Sequence, residues 1–199
     1  MKVFLKIFLI ICGIGFAIFV GVIVMIMAAF GGFDKDYSVT ELKENFEKKR
    51  TEIYEVKNYI NKITPPDKSV QIEFNDSNIL HVFHVGEGDN FESNWDVKIN
   101  SEKADTLIQK LGWTTETLKT LKEKLDKANC IGVSNGEPCF INFQRSGMGM
   151  YSFNVFDKPI PDSLKARYND GCTHIMVNER LVLEYGGGAI GGQCFYNLD

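Results

Sequence analysis

The chain has 199 residues, with 22 basic and 26 acidic side chains, a net charge of −4 and 44% hydrophobic residues. These values exclude a disordered chain, a collagen-like chain and a polytopic membrane protein. The charge is divided unevenly, because residues 1–33 contain Lys2 and Lys6 but no acidic residue, which leaves residues 34–199 with a net charge of −6. An acidic region disfavours nucleic-acid binding, which requires a positive surface.

An uncharged stretch of 24 residues, 7–30, follows the two lysines. As a helix rising about 1.5 Å per residue it would be about 36 Å long, enough to cross a hydrocarbon core of about 30 Å. We interpret residues 1–33 as an uncleaved membrane anchor, because the apolar region of a signal peptide is shorter. One alternative is cleavage among the small residues of 27–32. The other is a lipoprotein signal at Cys12, which the bulky Ile11 before it disfavours.

The charged flanks of this stretch predict its orientation. Lys2 and Lys6 precede it, whereas Asp34-Lys35-Asp36 after it has no basic excess. Since basic flanks remain in the cytoplasm, we expect the N-terminus inside the cell. Residues 34–199 are then a single extracytoplasmic domain, periplasmic or extracellular, on a single-pass cell-membrane protein.

Small residues recur every four positions within the apolar stretch, at Gly13, Ala17 and Gly21. This spacing puts them on one helix face, where two helix backbones can approach closely. They are therefore a candidate transmembrane dimer face, and a homodimer is a candidate assembly. The alternative is that small residues are simply common in membrane helices.

A long amphipathic helix is predicted next. Ser38 and Glu41 have the spacing of a capping box, and Pro65-Pro66 ends the apolar pattern. Between them apolar residues recur every three or four positions, interrupted only at Lys49. The narrow stripe favours packing of this helix on its own domain, with a short coiled coil as the alternative. Its apolar members are Val39, Leu42, Phe46, Ile53, Val56, Ile60 and Ile63.

The remaining pattern alternates between strands and one pair of helices. Ser101 caps the first helix of the pair, which ends at Gly112, and the second begins at Thr114 or Thr115, with Leu118, Leu121, Leu125 and Ala128 on one face. We predict an α+β fold with a mostly antiparallel sheet. Period-two alternation and turn residues predict strands at 70–74, 79–85, 95–99, 130–133, 139–143, 150–156, 173–177, 181–185 and 194–197.

One motif resembles a catalytic element. Gly132-Val133-Ser134-Asn135-Gly136 fits G-x-S-x-G, and Asp162 or Asp170 and then His174 follow in the order of a hydrolase triad. A nucleophile elbow leads into a helix, however, whereas residues 137–141 read as a strand. Asn135-Gly136 is also a strong hairpin signal. We expect a turn here, and keep a small serine hydrolase using Ser134, Asp170 and His174 as the alternative.

Two histidines and a glycine-rich segment have some features of ligand sites. His81 and His84, with Glu87 and Asp89 nearby, are expected to point to opposite faces of a strand and to bind no common metal. The segment containing Gly186, Gly187, Gly188, Gly191 and Gly192 lacks the lysine and helix of a phosphate loop. It is expected to form a hairpin with close backbone approach and is a candidate recognition loop. No cofactor is expected.

Cysteines bear on the cellular compartment. Cys12 lies in the apolar stretch, whereas Cys130, Cys139, Cys172 and Cys194 lie in the predicted external domain. An even number there predicts two disulfides, with three connectivities open. Neighbours in sequence suggest 130–139 with 172–194, but hairpin counting does not favour the first pair. A zinc site is the alternative, without the usual C-x-x-C spacing.

Together these patterns predict a membrane-anchored extracytoplasmic binding or interaction domain rather than an enzyme. The expected partner is a protein, and an inhibitor or immunity-type module fits a small acidic domain held at a membrane surface. The alternatives are the serine hydrolase and a structural or sensory dimer built on the small-residue face and the 39–63 stripe.

Overall fold

A computed structural model of the chain describes residues 2–29, 32–88, 90–187 and 191–196. The first element is α1 (Lys2–Ala29), whose 28 residues correspond to about 42 Å of helix. Its segment Leu9–Ala28 has a mean hydropathy of 3.0 and buries none of its residues against the rest of the chain. The length and composition suit either a membrane anchor or a signal sequence. Nothing packs within 4 Å of a side chain built at Gly13 or Gly21, and the dimer face stays a prediction.

The second helix, α2 (Val39–Ile63), begins and ends as its sequence predicts. The Ser38 hydroxyl accepts the Glu41 amide at 3.1 Å, and the Glu41 carboxylate accepts the Ser38 amide at 2.8 Å. Lys49, the interruption in the apolar stripe, has non-helical dihedrals (φ −116°, ψ 16°) and kinks the helix. The stripe itself is buried in the main core against the sheet, so α2 packs on its own fold.

Two shorter helices, α3 (Glu102–Lys110) and α4 (Thr115–Lys127), complete the helical layer, and α5 (Asp162–Lys165) with a 3-10 turn follows later. Ser101 caps α3, Thr114 caps α4, and the predicted leucine face of α4 is buried. The Trp113 indole between them donates a hydrogen bond of 2.8 Å to the Ile63 carbonyl at the end of α2.

The described residues contain nine strands, which are β1 (Lys68–Phe74), β2 (Ile79–Glu87), β3 (Asn90–Glu92), β4 (Trp95–Lys98), β5 (Gly132–Ser134), β6 (Cys139–Ser146), β7 (Gly149–Val155), β8 (His174–Asn178) and β9 (Leu181–Gly186). They form one antiparallel sheet in the order β3-β2-β1-β5-β6-β7-β9-β8, with β4 also paired to β2. The α+β architecture with a mostly antiparallel sheet is therefore confirmed.

Strand alternation divides the sheet into two chemically different faces. One cross-strand row, from β1 through β5, β6, β7 and β9 to β8, consists of Ile72, Val133, Ile141, Phe153, Leu183 and Ile175, and it packs in the main core with the helices. The adjacent row on the opposite face consists of Glu73, Gly132, Asn142, Ser152, Glu184 and His174. The second face is therefore polar over the middle of the sheet.

A small separate core covers one end of the polar face. It consists of Phe156, Ile160 and Val182, with Tyr168 and Met176 packed against it. Those residues tie the segment containing α5 and the 3-10 turn to β7, β8 and β9. The buried apolar residues of the described helices α2, α3 and α4 pack in the main core on the opposite face.

Some predicted strand limits were wrong. The segment 86–94, for which no strand was predicted, contains the end of β2 and the short β3, with Asp89 outside the described residues. The predicted last strand, 194–197, is not a strand over its described part: a single bridge joins Gly186 to Gly192. A hydrogen bond from the Phe195 amide to the Cys172 carbonyl (3.0 Å) then holds the chain end.

Candidate binding cleft

A cleft of about 410 Å³ lies on the polar face of the sheet. Residues from β1, β2, β3, β4, β5, β6, β7 and β9 line it, so the cleft runs across most of the sheet. It is shallow and open to solvent, and its volume is within the range of small-ligand sites. The side chains that line it fall into an aromatic wall, a charged pair and a group of amides and hydroxyls.

The aromatic wall is formed by Trp95 on β4 and Phe91 on β3, which are 55% and 58% exposed. The ring of His84 lies edge-on against both, with centroid distances of 5.0 Å to Trp95 and 5.3 Å to Phe91. His84 is itself buried, and burial lowers its pKa, which favours the neutral ring. Its Nε2 atom has no hydrogen-bond partner within the described structure.

The charged pair joins Glu73 on β1 to Arg145 on β6. The Arg145 Nε and Nη2 atoms donate to the two carboxylate oxygens of Glu73 at 2.5 and 2.7 Å. Glu73 is 2% exposed, whereas the Arg145 side chain is 30% exposed and reaches the cleft surface. This bidentate geometry fixes the guanidinium and leaves little net charge at that position.

Neutral polar groups form the middle of this face. Ser152 on β7 donates a hydrogen bond of 3.2 Å to the Asn142 side-chain oxygen on β6. The fully buried Asn154 donates from Nδ2 to Glu184 Oε2 at 2.7 Å, but its own Oδ1 has no partner in the described part of the chain. A buried polar atom left without a partner costs about 1–3 kcal/mol. Asn154 and His84 therefore both carry unused hydrogen-bonding capacity beneath the polar face.

A histidine between two carboxylates flanks the cleft on β8. His174 Nδ1 lies 3.2 Å from Asp170 Oδ2, and Nε2 lies 3.5 Å from Glu184 Oε2. The hydrogen bond with Glu184, aided by Asp170, raises the pKa of His174 despite its burial. Burial acts to raise the pKa of Glu184, but the hydrogen bonds from His174 and Asn154 outweigh it, so that pKa is lowered.

The residues of the hydrolase hypothesis are only partly brought together. Asp170 and His174 are adjacent, but Ser134 is on β5 and three strands separate it from β8. At a strand spacing of about 4.8 Å that separation is about 19 Å along the sheet. Ser134 is followed by a turn and by β6 rather than by a helix. These three residues therefore do not form a catalytic triad, because the nucleophile and the base cannot reach each other.

The two described ends of the glycine-rich segment, residues 186–187 and 191–192, approach each other closely at one edge of the cleft. The Gly187 amide donates to the Gly191 carbonyl at 2.8 Å, and Gly186 is bridged to Gly192. Gly186 has a φ of 141°, and a Cβ there would lie 2.8 Å from the Gly191 oxygen, so only glycine fits. Gly186 and Gly187 line the cleft, whereas Gly188 lies outside the described residues.

The two histidines on β2 both contact Trp95, with ring centroids 5.9 Å away for His81 and 5.0 Å for His84. The expectation that they point to opposite faces was therefore wrong, because the pairing of β1 with β2 shifts register in a bulge between Glu73 and Phe74. His81 Nδ1 also lies 3.1 Å from Asp96 Oδ1, and His84 also contacts Phe91. Within the described residues, no group of three or more His, Cys, Asp or Glu side chains is arranged to hold a metal ion.

One disulfide is present, between Cys172 and Cys194. The expectation of two was wrong in the structure, because Cys130 and Cys139 are free thiols buried in the main core. Ser134 pairs with Phe140, so Cys139 falls opposite residue 135, five positions from Cys130 along the ladder. That offset is about 17 Å, far beyond the roughly 7 Å that a disulfide can span. The Cys172–Cys194 bond suggests an oxidising compartment.

No protein-family model, no curated protein and no solved structure matches this chain. The cleft itself was not predicted from the sequence. Its polar members follow period two, with Asn142, Ser152 and Glu184 alternating with buried apolar residues. That alternation signals a half-buried strand, but it does not say which polar face a helix leaves uncovered.

Proposed function

We propose that this protein is a single-pass, N-in membrane protein whose external domain binds a partner protein in the cleft on the polar sheet face. The uncleaved anchor and its orientation are supported by the apolar segment Leu9–Ala28 of α1 and by Lys2 and Lys6 before it. The external location is supported by the Cys172–Cys194 disulfide. An inhibitor or immunity-type role suits such a binding domain.

The observation that carries the proposal is the aromatic wall beside an uncovered polar face. Trp95 and Phe91 expose more than half of their surface, and neither packs in the main core. Exposing large aromatic rings in water is unfavourable, and Trp together with Arg is enriched among the residues that dominate protein–protein binding energy. Trp95, Phe91 and Arg145 line the same cleft. A partner would bury the two rings and could also contact the Arg145 guanidinium, which Glu73 already holds in place.

The neutral groups of the same face add specificity. Asn142 and Ser152 line the cleft and present amide and hydroxyl groups, which can exchange hydrogen bonds with a partner backbone. Because Glu73 and Arg145 neutralise each other, a strongly charged partner is not required. The cleft therefore favours a polar, largely neutral segment with an apolar side chain against the rings.

Photo-crosslinking in native membranes tests the proposed interface. The crosslinking amino acid p-benzoylphenylalanine replaces Phe140, which lines the cleft, or Glu116, which is exposed on α4 at the opposite face. We expect a discrete adduct from the Phe140 position and none from the Glu116 position. Trp95→Ala should remove the adduct without loss of folding, because Trp95 is mostly exposed. Equal adducts from both positions, or an adduct insensitive to Trp95→Ala, would refute binding in the cleft.

A reporter fusion tests the topology separately. An enzyme that is active only outside the cytoplasm, fused after Asp199, should be active. An inactive fusion to a stable chain would overturn the N-in orientation.

A further inference from the structure

The segment that leaves α1 is bonded directly to one edge of the sheet. Asp34 Oδ2 accepts the Gly147 amide at 2.8 Å, and Asp36 Oδ1 accepts the Ser146 hydroxyl at 2.7 Å. Ser146 and Gly147 form the turn between β6 and β7. Tyr37 then packs edge-on against Phe143, with ring centroids 5.0 Å apart. Residues 34–37 are therefore held against the β6–β7 turn rather than forming a free linker.

This attachment limits how far the turn can lie from the end of α1. Five residue steps separate Ala29, the last residue of α1, from Asp34. Even a fully extended chain covers at most about 18 Å in that number of steps. A hydrocarbon core of about 30 Å within a bilayer of about 40–45 Å leaves a polar layer of roughly 5–8 Å on each side. If α1 spans the membrane and ends at the hydrocarbon boundary, Asp34 and the β6–β7 turn bonded to it lie no more than about 13 Å above that layer.

Apolar side chains are exposed at the same edge. Phe33 is 66% exposed and precedes Asp34, and Met148 is 36% exposed at the tip of the turn. Tyr196 is 74% exposed, and its ring centroid lies 6.5 Å from that of Tyr185, which packs against Gly149 at the start of β7, directly after the turn. Tyrosine and other aromatic rings are favoured at the boundary between lipid headgroups and hydrocarbon.

We propose that Phe33, Met148 and Tyr196 form a membrane-contacting edge that rests on the outer leaflet from which α1 emerges. The inference rests on the proposed membrane anchor. The partner that this edge contacts is the lipid surface itself. Burial of three partly apolar side chains among headgroups stabilises one orientation of the domain instead of free rotation about α1. Arg145 and Met150, which line the cleft, form the next strand pair beyond this turn. The cleft therefore opens close to the membrane surface and would meet a partner at that surface.

Fluorescence quenching by headgroup nitroxide lipids tests this edge on the full chain in phosphatidylcholine nanodiscs. A bimane probe is placed at Met148→Cys or, as a matched control, at Glu179→Cys in the turn between β8 and β9. That turn is at the other end of the strands, because Leu181, the first residue after it, lies five residue steps or about 17 Å along β9 from Gly186. Both variants carry Cys12→Ser, because the Cys12 thiol is exposed whereas Cys130 and Cys139 are buried.

We expect quenching several-fold stronger at position 148 than at position 179. Phe33→Ser with Tyr196→Ser should reduce the difference, because it removes the neighbouring apolar contacts. Intact mass of each sample shows whether residues 1–33 are still attached. Equal quenching at both positions in an intact chain would overturn the membrane-contacting edge and leave the anchor standing. A mass that lacks α1 would overturn both the anchor and the edge.

Discussion

Replacing Arg145 with methionine removes one partner of the buried pair beneath the cleft. Methionine keeps much of the aliphatic length but leaves the Glu73 carboxylate, which is 2% exposed, without its two charge-assisted hydrogen bonds. Removal of one partner from a buried ion pair typically costs about 3–5 kcal/mol. Because the Arg145 side chain is 30% exposed, water reaches this site, and we expect a loss near the lower limit, about 3 kcal/mol.

Thermal unfolding of the full chain in nanodiscs, followed by tryptophan fluorescence, measures this loss. For a domain of 150–250 residues each kcal/mol shifts the Tm by about 2–4 °C, so Arg145→Met should lower it by about 6–12 °C. Arg145→Lys should lie between wild type and Arg145→Met, because an ammonium cannot reproduce the bidentate geometry.

The double variant Glu73→Gln/Arg145→Met is the decisive control. The double variant contains no unpaired buried carboxylate. It should therefore recover more than half of the Tm loss of Arg145→Met, since a neutral amide is less costly to bury. A double variant as unstable as the single one would show that an unpaired buried carboxylate is not the cause. A Tm loss below about 2 °C for Arg145→Met would refute the importance of the pair.

Two further predictions concern stability. Cys172→Ser/Cys194→Ser opens a loop with a sequence separation of 22 and should lower the free energy of unfolding by about 3.4 kcal/mol through chain entropy. Denaturant unfolding of the variant and of wild type, with and without reductant, measures this loss. An unchanged unfolding midpoint would contradict it. The pKa of His174 is raised in the folded state, so its stabilisation is complete below about pH 6.5 and is lost as the pH rises through the folded value. The unfolding free energy of wild type should therefore exceed that of His174→Gln by more at pH 5.5 than at pH 8.5.

The contrasting behaviour of His84 provides an internal control for the pH experiment. Burial lowers its pKa, so it is neutral in the folded state and disfavours folding as the pH falls. NMR titration should place His174 above and His84 below the ordinary value of about 6.5. A reversed order of the two pKa values would contradict the assigned contacts.

Local sequence patterns predicted much of the fold because their causes are local. Ser38 and Glu41 satisfy the first amides of α2, and the lysine at position 49 that breaks the apolar stripe coincides with the kink. Period-two alternation likewise placed most strands within a few residues. The errors are at segments with weak alternation, such as 86–94, where pairing with β2 rather than propensity decides that β3 is a strand.

The candidate site was less predictable because it depends on contacts between distant strands. Glu73 and Arg145 are 72 positions apart, and no local signal links them. Asp170 and His174 are close in sequence and in space, but the sheet order separates both from Ser134. The cysteines show the same limit, since an even count cannot reveal that ladder register keeps Cys130 and Cys139 apart.

By itself the sequence determined the apolar N-terminal helix, the capped amphipathic helix and the alternating strands. Each follows from hydrophobic periodicity and from hydrogen bonds that close within a few residues. The tertiary structure alone decided the strand order and the single disulfide. It also decided which polar face the helices leave uncovered, with Trp95 and Phe91 beside it. Those features depend on the register between strands far apart in the chain, and register is set by burial of one complete face rather than by any short segment.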